Sequence, residues 1–207
     1  MNELDEILTI TGFFESKFKE KGSQFIGLAY PINSEEEFSS ILADVKKKYY
    51  DASHHGYACR LLNNTFKYSD AGEPTGTAGI RILNAIDHFN LLNVLVIVVR
   101  YFGGTKLGVG PLGKAYYHSA EITLNDSEKI KKTAYKKIFV SADFSFTSLL
   151  HKTFGDYEMK IIETEYNENA GFRCYIRQKF MNNFIETITE KTSGSVNIKT
   201  GDEIFYV

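Results

Sequence analysis

Apolar and polar positions along this chain alternate between two periods, and the switches between them outline the elements. Phe13 to Lys19 and Gln24 to Tyr30 are β-prone stretches on either side of Lys21-Gly22-Ser23, which predicts a hairpin. Ser34 followed by Glu37 is a capping-box signature. Behind it Phe38, Ile41, Leu42 and Val45 recur at helical spacing, and Lys46, Lys47 and Lys48 suit a last turn, predicting a helix over 34–50. Asp51 to Gly56 reads as a loop. Tyr57 to Leu62 and Thr65 to Tyr68 read as a second strand pair turning at Asn63-Asn64. After a loop from Ser69 to Gly76 the helical period returns over 77–89, with Ile80, Leu83 and Ile86 on one face and Thr75 or Thr77 as the N-cap. A β-branched run, 93–100, then enters a glycine-rich loop and a helix over 110–124, whose first turn suits Pro111 because its missing N–H would be unpaired there anyway.

The pattern changes after Asn125 to Lys132, a polar stretch that reads as a linker. Strand patterns over 133–141, 160–166, 172–178 and 195–206 alternate with helical ones over 146–157 and 181–192. That β-α-β-β-α-β order predicts a ferredoxin-like sandwich. The expectation is an α+β protein of two domains, residues 1–128 and 132–207.

Composition narrows the class. The chain has 207 residues, 43% hydrophobic and 24% charged, with a net charge of −2. This is ordinary for a globular protein and lacks the global basic field of a dedicated nucleic-acid binder, so any such binding must come from a local patch. The acidic first residues do not resemble a signal peptide, and the longest apolar run is too short to cross a bilayer. Two distant cysteines, Cys59 and Cys174, argue against a disulfide framework and for a reducing cytoplasm. A cytoplasmic monomer without membrane association is the expectation.

Between Asp87 and Glu121 no acidic residue occurs, whereas Arg100, Lys106 and Lys114 carry positive charge. A strand feeding a glycine-rich turn and a helix N-terminus is a recipe for holding an anion, since free N–H groups supply donors and partial positive charge. Gly103, Gly104, Gly108 and Gly110 line that turn, beside the aromatics Tyr101 and Phe102. The stretch Gly108 to Lys114 also fits G-x-x-x-x-G-K, but Ala115 stands where a magnesium-binding hydroxyl is needed. The G-x-G-x-x-G match at Gly108, Gly110 and Gly113 starts too far from its strand for a dinucleotide site. A purely structural turn remains the alternative to an anion cradle.

His54 and His55 with Cys59 do not make a metal site, because adjacent residues on an extended chain point to opposite sides. No metal and no cofactor are expected. His54 with Asp70 and Glu73 would be acid–base partners if the fold joins them, and hydrogen-bonded loop residues if it does not. The loop carrying Gly72, Pro74, Thr75, Gly76 and Thr77 reads as turn chemistry with a helix cap, or as a segment orienting a substrate or partner.

Three segments, Ser53 to Arg60, Ser69 to Gly79 and Val98 to Gly108, together resemble the IMPACT/YigZ family, and the similarity covers nearly the whole chain. The chain departs from the family pattern at Ala71, usually a second acid, at Arg81 and Pro111, usually proline and glycine, and at Lys114, usually arginine. Lys114 keeps the charge but not the planar guanidinium fork. The resemblance implies an N-terminal βαβ domain like domain IV of elongation factor G and a small-subunit ribosomal protein, followed by a ferredoxin-like domain like that factor's domain V. Eukaryotic relatives regulate translation by competing for an activator of the kinase that senses uncharged tRNA, and no catalytic activity is established for the family.

The expectation is therefore a translation-associated protein, not an enzyme, that binds RNA, the ribosome or a translation-control protein. Its surface is expected to contain Arg60, Arg100, Tyr101, Phe102, Gly103, Gly104, Lys106, Gly108, Gly110 and Lys114. One alternative is an enzyme acting on an anionic or phosphorylated small molecule, with His54, Asp70 and Glu73 as the catalytic candidates. Another is a protein-interaction module using the sheet of the C-terminal domain.

Overall fold

The computed structural model describes residues 4–62 and 65–207, so the expected turn at Asn63-Asn64 lies outside the described residues. The fold is α+β, with two antiparallel sheets and five α-helices among the described residues. The chain forms two compact units. One is Leu8–Lys131, and the other is Lys132–Val207 together with the N-terminal residues through Ile7.

The first unit contains β2 (Phe14–Glu20), β3 (Ser23–Pro31), α1 (Glu35–Lys48), β4 (His54–Arg60), β5 (Phe66–Ser69), α2 (Gly79–His88), β6 (Val94–Tyr101) and α3 (Val109–Asp126). β1 (Glu6–Ile10) precedes them and belongs to the other sheet. The sheet order is β2-β3-β6-β4-β5, every pairing antiparallel. The central strand β6 is apolar throughout because both its faces are covered. Val94, Val96 and Val98 pack with Ile82, Ile86 and Tyr116 from α2 and α3, while Leu95, Ile97 and Val99 pack with Phe38 and Val45 from α1. Each such aliphatic side chain contributes about 1.5–3 kcal/mol on burial.

Several elements depart from the sequence pattern. The stretch 54–56 is strand rather than loop, since His54, His55 and Gly56 pair with Arg100, Val99 and Val98. Ser34 caps α1 by accepting from the Glu37 N–H at 3.2 Å, but the Glu37 carboxylate accepts from the Asn33 N–H at 2.6 Å rather than from the cap residue. Helix α2 starts at Gly79 and is capped by neither Thr75 nor Thr77. Asp70 accepts from the Ala78 and Gly79 N–H groups at 2.8 and 2.9 Å instead. The expected linker 125–132 is mostly absorbed by the end of α3 and the start of β7 (Lys129–Ala142).

The second unit continues with α4 (Thr147–Asp156), β8 (Lys160–Tyr166), β9 (Ala170–Arg177), α5 (Met181–Lys191) and β10 (Asn197–Tyr206). Its sheet runs β1-β7-β9-β8, with β10 also pairing with β7. Ile138, Val140, Phe172, Cys174 and Ile176 meet Leu150, Phe154, Phe184 and Ile188 of α4 and α5 in its core. No helix among the described residues is long and apolar enough to cross a membrane.

Candidate functional site

The β4–β6 register sets His54 opposite Arg100 at one end of the first sheet. The loop between β5 and α2 reaches this end because Asp70 pins it. Besides its two bonds to the start of α2, its carboxylate accepts from the Gly76 N–H at 2.9 Å. Partial burial pushes the Asp70 carboxyl up, but its three backbone donors together outweigh that and hold it below its ordinary value. The loop then turns Glu73 inward.

Glu73 Oε1 accepts from Arg100 Nη1 at 2.6 Å and from the Tyr116 hydroxyl at 2.8 Å. Both charged side chains are almost completely buried, 4% and 5% exposed. Arg100 Nη2 also donates to Ser23 Oγ at 3.3 Å, and the guanidinium lies 5.5 Å from the ring centres of Phe25 and Phe102. Burial, then the Glu73 charge, pushes the Tyr116 phenol well above its ordinary value, so it serves as a neutral donor. His54 Nδ1 lies 3.0 Å from the Ala71 carbonyl, which can only accept and so assigns the ring hydrogen to Nδ1. His54 Nε2 lies 3.7 Å from Glu73 Oε2, longer than a hydrogen bond.

The glycine loop is tied down by two serines. Ser53 Oγ accepts from the Phe102 N–H at 3.1 Å and Ser23 Oγ from the Gly103 N–H at 3.2 Å. At Gly103 a Cβ would lie 1.9 Å from the Gly22 carbonyl carbon, so only glycine lets the loop rest on the β2–β3 turn. Gly108 caps α3 at φ +86°, and the first turn of that helix carries neither an acidic residue nor a side-chain cap. A cavity of about 400 Å³ opens here, with His54, Glu73, Arg100, Phe102, Lys106 and Val109 in its wall.

The fold thus joins His54, Glu73, Arg100, Phe102, Lys106 and Gly108 around one cavity, with Pro74 in the wall. Asp70 pins the loop that carries Glu73, and Gly72 in that loop lies close to the His54 ring. Gly103, Gly104, Gly110 and Lys114 are exposed along the same loop and the start of α3. Thr75 is exposed, whereas Thr77 is buried and donates to the Pro74 carbonyl at 2.6 Å, and the Gly76 carbonyl accepts from Arg81 at 3.1 Å.

Two expected members lie elsewhere. Arg60 is at the opposite end of β4, paired with both Asp87 carboxylate oxygens at 2.6 and 2.8 Å. Tyr101 packs with the α1-side core and donates to Asp51 at 2.8 Å, and burial with that contact pushes its phenol up to about 12. Alternation along a strand requires this, since Arg100 and Tyr101 face opposite sides. His55, likewise turned away, has Nε2 3.0 Å from the Tyr49 carbonyl, and burial lowers its pKa. Ser23, Ser53 and Tyr116 are participants that the sequence reading does not assign. Tyr116 follows the charged turn at helical spacing, but nothing local marks either serine.

Comparison with known proteins agrees with the resemblance. The Impact N-terminal domain matches residues 21–124. The chain is 32% identical to the IMPACT family member YvyE of Bacillus subtilis over 87% of this chain and 84% of that protein. It is 25% identical to the IMPACT family member YigZ of Escherichia coli, over 88% and 92% respectively. Protein IMPACT of Mus musculus matches at 31% over 43% of this chain and 30% of its own length. A solved structure titled crystal structure of an hypothetical protein superimposes with a TM-score of 0.68 at 23% identity, covering 97% of this chain and 99% of that one, which supports the fold. With the family domain spanning half its length and full-length bacterial relatives alongside, the chain belongs to the IMPACT family.

Proposed function

We propose that the protein is a cytoplasmic, translation-associated RNA-binding regulator whose glycine-loop surface grips the RNA backbone. The observation that carries this is Phe102. The residue is 47% exposed, its ring is backed by the buried Arg100 guanidinium, and it shares a cavity wall with Lys106 and the start of α3, whose first turn has no side-chain cap. A base stacks on such a ring while lysines and helix N–H groups meet phosphates. Arg100 acts from beneath: its charge is spent on Glu73, so its part is to hold Phe102 and the loop. The β-α-β-β-α-β order of the second unit favours a ferredoxin-like domain, as the family resemblance implies, and the first unit is read as the domain IV-like part.

A titration of fluorescein-labelled single-stranded RNA, followed by anisotropy across salt concentrations, tests the proposal. Binding should weaken steeply with salt, and the double variant Lys106→Glu/Lys114→Glu should lower the salt slope by about 2. Phe102→Ala should weaken binding by roughly fivefold or more at every salt concentration. Absent or salt-insensitive binding refutes it.

A second reading has one specific observation behind it. His54 faces a cavity that also offers Lys106 and a helix N-terminus, an arrangement that suits an enzyme acting on a small phosphorylated molecule. Glu73 is locked by Arg100 and Tyr116, which leaves His54 as its acid–base group. Unchanged cellular function on His54→Ala would remove this reading.

A further inference from the structure

The helices α4 and α5 cover only one face of the second sheet, the face of Ile138, Val140, Phe172, Cys174 and Ile176. Register assigns the other face to the alternate positions. Lys137 and Phe139 of β7, Arg173 and Tyr175 of β9, Lys160 of β8, and Lys199 and Phe205 of β10 stand there side by side. Phe139, Tyr175 and Phe205 are only half-buried, and the four basic side chains are exposed.

The chemistry of this face is repetitive. Lys137 lies 4.9 Å above the centre of Phe205, Lys160 5.2 Å above Tyr135 and Arg173 5.7 Å above Phe139. Tyr175 and Phe205 are 5.9 Å apart. Of the acids facing the same way, Glu163 and Glu165 are both turned onto Arg173, and Glu203 stands two positions before Phe205 on β10. In a chain whose net charge is −2, this is a local cationic surface set with rings. Two adjoining depressions, about 460 and 230 Å³, share Tyr175 as a wall, so two neighbouring planar groups would lie on either side of one ring.

We infer that this open sheet face is a second, separate surface for single-stranded RNA, with bases on Tyr175, Phe139 and Phe205 and phosphates on Lys137, Lys160 and Lys199. Exposed antiparallel sheets that carry aromatic side chains read single strands in this way, because every base offers a π-face and every linkage a phosphate. A lysine over a free ring swings aside on its flexible stem when a base takes that position, and its ammonium then meets the adjacent phosphate. A protein partner fits the face less well. Protein-binding patches are depleted in lysine, whereas Lys137, Lys160 and Lys199 stand among these rings. The choice of RNA over DNA rests on the proposed function; the choice of a nucleic-acid strand rests on this face alone.

The experiment is ultraviolet crosslinking of the full chain to 4-thiouridine-substituted RNA, with peptide mapping, alongside anisotropy titrations with oligo(U) and oligo(dT). Crosslinks to peptides containing Phe139, Tyr175 or Phe205 are expected. Lys199→Glu, a surface change that does not threaten folding, should lower the salt slope by about 1, and Tyr175→Leu should weaken binding at least about fivefold. Crosslinks confined to residues 102–114, with both variants binding as the wild type does, overturn this inference and leave the glycine-loop reading intact. Crosslinks confined to the sheet do the reverse. Equal affinity for oligo(dT) overturns the choice of RNA, and absence of any binding overturns both.

Discussion

Glu73 is the residue whose removal should be felt most. In Glu73→Ala, Arg100 keeps its charge at 5% side-chain exposure with only Ser23 Oγ, at 3.3 Å, still accepting from it. Orphaning one member of a buried ion pair costs about 3–5 kcal/mol. Loss of the Tyr116 acceptor adds about 1 kcal/mol. Set against a total stability of roughly 5–15 kcal/mol, this is a large share. Glu73→Gln keeps an acceptor oxygen and loses the charge, so its cost should be smaller, about 1–2 kcal/mol. The pair is isolated by a double-mutant cycle with Arg100→Met and Glu73→Leu. The double variant should be less destabilised than the sum of the singles by about 2 kcal/mol or more, because neither charge is then stranded. The chain has no tryptophan, so urea unfolding would be followed by circular dichroism, with hydrogen exchange locating the loss in residues 94–124. A Glu73→Ala cost under about 1 kcal/mol, or additivity of the cycle within about 0.5 kcal/mol, refutes the reasoning.

Four further outcomes follow from the same geometry. Asp70→Ala removes three charge-assisted backbone bonds and should cost about 2–3 kcal/mol in urea unfolding. Because the folded-state pKa of Asp70 lies below its unfolded value, its contribution is complete above the unfolded pKa and is lost as pH falls through the folded one. Asp70→Asn should therefore flatten the acid limb of the stability profile below about pH 4 and leave the slope near neutrality unchanged. In the glycine loop, Gly103→Ala should lower the melting temperature by the equivalent of about 1–3 kcal/mol, as backbone must move away from the new Cβ. Gly110→Ala, whose Cβ meets nothing within 4 Å at the start of α3, should raise it by the equivalent of about 0.4–1 kcal/mol. A rise for Gly103→Ala would contradict the first assignment, and a fall for Gly110→Ala the second.

Where an element's signal is local, the sequence was sufficient. The helical spacing behind Ser34, the β-branched run of β6 and the alternation that builds the second unit all place elements within a few residues of their observed bounds, because period and caps act over one or two turns. The gathering of His54, Glu73, Arg100 and the glycine loop was legible only as three segments that resemble a family, since nothing in their spacing brings them together. β1 went unread for the same reason: it pairs with β7, more than a hundred residues away. Arg60 and Tyr101 joined the expected surface because charge and ring were visible in the sequence, whereas the end of the strand and the face of the sheet were not.

Amino-acid order alone therefore determined the α+β class, the family and a glycine-rich stretch free of acids. Tertiary structure decided what Arg100 does. In the sequence it is the first charge of a glycine-rich, acid-free stretch; in the fold it is buried against Glu73 and Tyr116, and what that stretch exposes is Phe102, Lys106 and the start of α3. Burial, pairing and sheet face depend on residues remote in the chain, and a charge brought next to an opposite charge out of water does a different job from the same charge left at the surface.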